Sequence, residues 1–184
     1  MKRRQLILGL GASATAGGLA VGSGAFSSVE AERNMSVEIN DDTEAYLTAQ
    51  PLNEDGDPVP DEGPEPNAQD TPYAVIDEDT GRLVLTFESL NADADTLVTE
   101  VFQVANEGTQ EIGVFFDKEG DNTGAVEFYD QDDNRLDVDE SDAVRIDIGD
   151  SLNIDVEFDT HGVDPGDSLM DTLLINGDAG AGEQ

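Results

Sequence analysis

Leu152-Asn153-Ile154-Asp155-Val156-Glu157-Phe158 alternates apolar and polar residues without a break. In an extended chain successive side chains point to opposite faces, so every second residue here enters a core and the others meet water. A helix would scatter the same residues around its circumference. The stretch therefore predicts a strand of an antiparallel sheet with one solvated face. Val144-Arg145-Ile146-Asp147-Ile148 repeats the pattern, and Val98-Thr99-Glu100-Val101-Phe102-Gln103-Val104 follows it only loosely.

Working outward, no stretch after residue 34 keeps a 3.6-residue apolar period over two turns. Short runs rich in β-branched and apolar residues recur instead, separated by Asp, Asn, Gly and Pro. They predict strands at Met35–Ile39, Glu44–Ala49, Tyr73–Ile76, Arg82–Phe87, Thr96–Ala105, Ile112–Phe116, Ala125–Tyr129, Ala143–Ile148, Leu152–Phe158 and Asp171–Ile175. Asn106-Glu107-Gly108 closes one run, and Gly149-Asp150 separates two alternating ones as a tight hairpin would. Ten short runs at this spacing, with no βαβ rhythm, predict an all-β antiparallel sandwich or jelly roll over residues 32–176. Six of the seven prolines lie between Pro51 and Pro72 among acids, Asn and Gly. Proline withholds a ladder donor, so 51–72 reads as an extended acidic loop. The Gly/Ala/Asp-rich end, 177–184, reads as a flexible tail.

The chain has 184 residues, 43 of them Asp or Glu and 8 Lys or Arg, for a formal charge of −35. Such a surface repels phosphate backbones, whose binding depends on cations releasing counterions, so nucleic acid is excluded as a partner. With no cysteine there are no disulfides, thiolate nucleophiles or thiolate metal sites. An apolar fraction of 37% in regular runs argues for a folded core inside an acidic coat rather than disorder. Like charges push a compact state apart in dilute buffer, and concentrated salt screens them. Lysine is confined to Lys2 and Lys118, and an acid excess with so little lysine resembles the proteins of salt-in halophilic archaea.

Residues 1–31 are of a different kind. Lys2, Arg3 and Arg4 precede an uncharged, Gly- and Ala-rich stretch from Leu6 to Phe26, and the first acid is Glu30. Basic head, apolar middle and small-residue exit make up a secretory signal. Arg3-Arg4-Gln5-Leu6-Ile7 resembles the twin-arginine form, a receptor-read address. Loss of 1–31 would remove three cations and one anion, making the remainder more acidic still. The expectation is an exported protein, extracellular or at the cell surface, with no membrane span in the mature chain. Asn34-Met35-Ser36, just past this segment, is the one N-x-S/T acceptor sequence, which makes Asn34 a candidate glycosylation site.

No pattern rises to an enzyme, and no catalytic residue is assigned. His161, the only histidine, sits in Asp159-Thr160-His161-Gly162 with no G-x-S-x-G turn to supply a nucleophile, and reads as a surface turn residue. Calcium is the one cofactor that the acid-rich turns could hold. Asp130-x-Asp132-x-Asn134 imitates the opening of a calcium loop, but Arg135 stands where glycine is needed and Ser141 where the closing glutamate would be. The edges of a sandwich are a further candidate, since an unpaired edge invites another chain. Arg33, Met35, Val37 and Ile39 lie on a strand-like segment directly behind the leader, placed to pair within its own domain or to add to a neighbour's sheet.

The leader, Gly24-Ala25-Phe26-Ser27-Ser28-Val29-Glu30-Ala31-Glu32-Arg33 and Ser36-Val37-Glu38-Ile39 together resemble a set of exported haloarchaeal proteins of unknown function. More distantly, residues 24–175, with Val101-Phe102-Gln103-Val104-Ala105-Asn106-Glu107-Gly108-Thr109, resemble the TasA/camelysin-like fibre subunits of bacteria and the bundling pili of archaea. That resemblance implies head-to-tail assembly, with Arg33–Ile39 as the donor strand completing the next subunit's sandwich. The metalloprotease label of some camelysin relatives is not implied, because H-E-x-x-H is missing. The expected role is a non-enzymatic structural or adhesive surface subunit, self-associating or bound to surface components. The competing role is a monomeric secreted module for calcium or a surface glycan.

Overall fold

The structure is a computed structural model and describes residues 33–41, 46–59, 73–77, 79–87, 90–164 and 166–182. The leader with Arg3 and Arg4, and the stretch 60–72, lie outside the described residues. Ten strands follow in order: β1 Arg33–Asp41, β2 Leu47–Pro51, β3 Ala74–Ile76, β4 Leu83–Phe87, β5 Asp95–Asn106, β6 Ile112–Glu119, β7 Val126–Asp130, β8 Val144–Ile146, β9 Ser151–Asp159 and β10 Thr172–Asp178. Each of the ten sequence runs overlaps one of them. They form a six-stranded sheet, β3-β4-β1-β10-β6-β8, stacked on a four-stranded sheet, β2-β5-β9-β7. The fold is an all-β sandwich.

β9 behaves as its alternation requires: Leu152, Ile154, Val156 and Phe158 are buried, and the residues between them are half-exposed. It runs antiparallel to β5 on one side and β7 on the other. Phenylalanines tie the two sheets together. Phe87 of β4 meets Phe158 of β9 edge-on at 4.7 Å, and Phe116 of β6 meets Phe128 of β7 at 5.6 Å. Such pairs add roughly 0.5–1.5 kcal/mol each beyond their burial.

The loose alternation at Val98–Val104 has a physical cause. The β5–β9 register slips between Val98 and Phe102, where Glu100 adopts φ 55°. The bulge takes the Glu100 N–H out of the ladder, and it donates to the Asp155 carboxylate at 2.8 Å instead.

Four expectations need correction. The sheets are antiparallel except where β1 runs parallel to β10, with Val37 opposite Leu173 and Ile39 opposite Ile175. A parallel pair cannot be joined by a hairpin, and here nearly the whole domain forms the connection. Gly149-Asp150 is not a hairpin turn, because β8 pairs with β6 in one sheet while β9 lies in the other. The turn carries the chain between layers and leaves Ile148 exposed.

The strand before the Pro-rich stretch runs on to Pro51, which β2 tolerates at the margin of its sheet. The chain then turns tightly, with Val59 N–H bonding back to Pro51 O at 2.9 Å. The last strand does not stop before 177: β10 continues to Asp178, and Ala181 beyond it is buried. Arg145 Nη1 donates to Ala181 O at 2.7 Å, and Gly182 N–H reaches Glu140 O at 3.0 Å. A Cβ on Gly113 would lie 2.5 Å from Ala181 O, so glycine is what lets this end approach β6.

Candidate functional site: the slot filled by the first strand

β1 occupies the middle of the larger sheet. On one side it runs antiparallel to β4, pairing Arg33 with Phe87, Asn34 with Thr86, Met35 with Leu85 and Ser36 with Val84. On the other it runs parallel to β10 from Ser36 to Asp41. Within this sheet, β1 alone joins the β3–β4 pair to β10-β6-β8. The sequence builds it with Met35 and Val37 as inward residues, both 2% exposed, and Ile39 partly buried against the same core. Burying each of the first two stabilises by roughly 1.5–3 kcal/mol. Their neighbours Leu85, Leu173 and Ile175 are completely buried. Without β1 those side chains would line an open groove with two unpaired strand edges, which is what invites a replacement strand.

The far end of β1 is less well filled. A half-open cavity of about 300 Å³ lies beside it, lined by Val37, Ile39, Ala49, Ile76 and Leu83, with the Arg82–Glu38 ion pair (3.4 Å) also on its wall. Asn34, the candidate glycan acceptor, falls within β1 opposite Thr86.

The calcium-like turn has a different construction. Asp130 is 2% exposed, and both of its oxygens take donors. Oδ1 accepts from Asp132 N at 2.9 Å and Asn134 N at 2.8 Å, and Oδ2 accepts from Asn134 Nδ2 at 2.8 Å. This is a capped turn, with N–H groups where a cation needs oxygens. Asp132 is exposed beside it.

Four cationic side chains are described by position, and each is ion-paired within the domain: Arg82 to Glu38, Lys118 to Asp137, Arg135 to Asp137 and Glu127, and Arg145 to Glu111. The tightest group surrounds Asp137, whose side chain is 2% exposed. Lys118 Nζ lies 2.6 Å and Arg135 Nη2 2.7 Å from its Oδ2, and Arg135 Nε donates to Oδ1 at 2.9 Å. Burial alone would raise the pKa of this carboxyl, but the donors from Arg135 and Lys118 outweigh it and hold the group below its ordinary range. Nearby, Tyr129 donates to Glu127, which pushes the phenol up to about 12.

The site is thus a strand slot in a two-sheet β-sandwich in which Arg82, Lys118, Arg135 and Arg145 are spent on internal contacts. No protein-family profile matches the chain, and no curated protein sequence matches it either. Among the described residues no helix is long and apolar enough to cross a membrane.

Proposed function

We propose that this protein is an exported, non-catalytic structural or adhesive subunit of a cell surface or its fibres, adapted to concentrated salt, and that copies join by exchanging β1. One observation carries the reading: the first strand of the domain is a central strand of the larger sheet, joined to β2 only through residues 42–46. A strand placed this way has the same partners whether it comes from its own chain or from the next. Exchange between identical chains therefore costs little at equilibrium, as in domain swapping. Backbone ladders on both sides supply affinity, and Met35, Val37 and Ile39 set the register. The leader-like segment 1–31 and the charge of −35 support export and a saline setting.

The chain has no cysteine, so a covalent test is unambiguous. Ser36 and Val84 are paired across β1 and β4, and opposed residues of an antiparallel pair lie within disulfide range. The double variant Ser36→Cys with Val84→Cys is oxidised at rising protein concentration in concentrated KCl. Exchange yields ladders of covalently linked multimers on non-reducing gels; bonds confined within single chains at every concentration contradict it.

A further inference from the structure

Away from the β1 slot, the far end of the β5–β9 pair gathers the only histidine of the chain with two carboxylates. Asp95 and Asp159 are direct partners across the two strands. Like charges placed opposite each other in this way repel and destabilise the pair. His161 follows two residues after Asp159, and its Nδ1 lies 2.7 Å from Asp159 Oδ1 and 3.4 Å from Asp95 Oδ1. One ligand atom from each residue lies within 4.8 Å of the other two.

The placement is fixed by groups beneath it. Thr160 is 2% exposed; its N–H donates to Ala94 O at 3.0 Å, and its hydroxyl accepts from Ala94 N at 3.0 Å and donates to Asn91 O at 2.8 Å. This locks the residue between Asp159 and His161 against the segment leading into Asp95. The three ligand groups themselves are exposed, so an ion can reach them from solvent.

We propose that Asp95, Asp159 and His161 form a three-ligand site for a divalent transition-metal ion of the nickel, copper and zinc group. Donors about 2.1 Å from such an ion stand roughly 3.0–3.4 Å apart when they are adjacent in its octahedral or tetrahedral shell. The two measured separations from the imidazole bracket that range; the third edge, between the carboxylates, is at most 4.8 Å, and rotation of the exposed Asp95 side chain shortens it. Calcium and magnesium select oxygen donors and gain nothing from the imidazole, whereas nickel, copper and zinc do. The nitrogen therefore distinguishes this site from diffuse condensation of cations on the acidic surface. Solvent fills the remaining coordination positions, so the site suits attachment of the ion or bridging to a ligand on another surface.

The test uses the full chain in concentrated KCl with excess Mg²⁺ to occupy the diffuse sites. Zn²⁺ is added while the imidazole resonances are followed by NMR and heat by calorimetry; a single histidine leaves no ambiguity of assignment. One equivalent of Zn²⁺ should shift the imidazole signals, His161→Gln should abolish the stoichiometric step, and Asp95→Asn should weaken it by roughly tenfold or more. All three ligand residues are exposed, and circular dichroism checks that each variant keeps the sheet signature. Imidazole resonances that titrate with pH but ignore Zn²⁺ would reduce the cluster to a salt bridge and overturn the proposal. So would an undiminished stoichiometric site in His161→Gln.

Discussion

Asn106, at the end of β5, is completely buried and makes five hydrogen bonds. Its backbone N–H reaches Asp150 O, and its carbonyl accepts from Gly149 N. Its side chain donates to Gln110 O and Ile146 O and accepts from Gly108 N. Asn106→Ala would strand the partners of the side chain, at roughly 1 kcal/mol or more apiece. A loss of about 3 kcal/mol is expected in urea denaturation performed in concentrated KCl, with a loss under 1 kcal/mol contradicting the role. From the sequence, Asn106-Glu107-Gly108 was readable as a turn; its grip on Gly149 was not, because that contact depends on which layer the next strand joins.

Asp137 gives the pH dependence a sign. Its folded-state pKa is lowered, so its contribution is fully present above the ordinary carboxylate value of about 3.9 and is lost as pH falls through the lower folded-state value. Asp137→Asn leaves Lys118 and Arg135 facing a neutral group, and a cost of about 3 kcal/mol is expected near neutrality. That cost should shrink toward zero in strong acid, where the wild-type carboxyl is itself protonated. A penalty equal at both pH values would place its origin in packing rather than charge.

At the scale of elements, the ten strands were legible because each run carries its own period, punctuated by Gly, Asn, Asp and Pro. Pairing was not legible, because register between segments far apart in sequence is set by the assembled core. β1 therefore read first as an internal strand and second as a donated one, and the structure places it between β4 and β10. The His161 cluster was hidden for the same reason: Asp159 is two residues away, but Asp95 arrives only through the β5–β9 register. The Asp130-x-Asp132-x-Asn134 spacing serves its own turn, with two backbone N–H groups and the Asn134 amide donating to the Asp130 carboxylate. A chain lacking residues 33–41 should lose its cooperative melt and recover it with one equivalent of a synthetic peptide of that sequence. An unchanged melt without peptide would show that β1 is dispensable to the sandwich.

For the whole molecule, charge decides where the fold is stable. A formal charge of −35 is spread over a chain whose positionally described cations are already paired internally. The acid excess is therefore left to the solvent to screen. The Debye length falls from about 10 Å at 0.1 M salt to about 3 Å at 1 M, which removes most repulsion between neighbouring surface carboxylates. The melting temperature should climb steeply over that interval in KCl and flatten beyond it; a flat profile from dilute buffer upward would contradict a salt-dependent surface.

The same screening lets acidic copies approach, which brings the question back to β1. The most direct measurement is the mass of the full chain by light scattering against protein concentration in concentrated KCl, with and without excess peptide 33–41. Growth with concentration, capped when the peptide fills the slot, is the result expected of strand exchange. A monomer's mass at every concentration, or growth that the peptide leaves untouched, would contradict it.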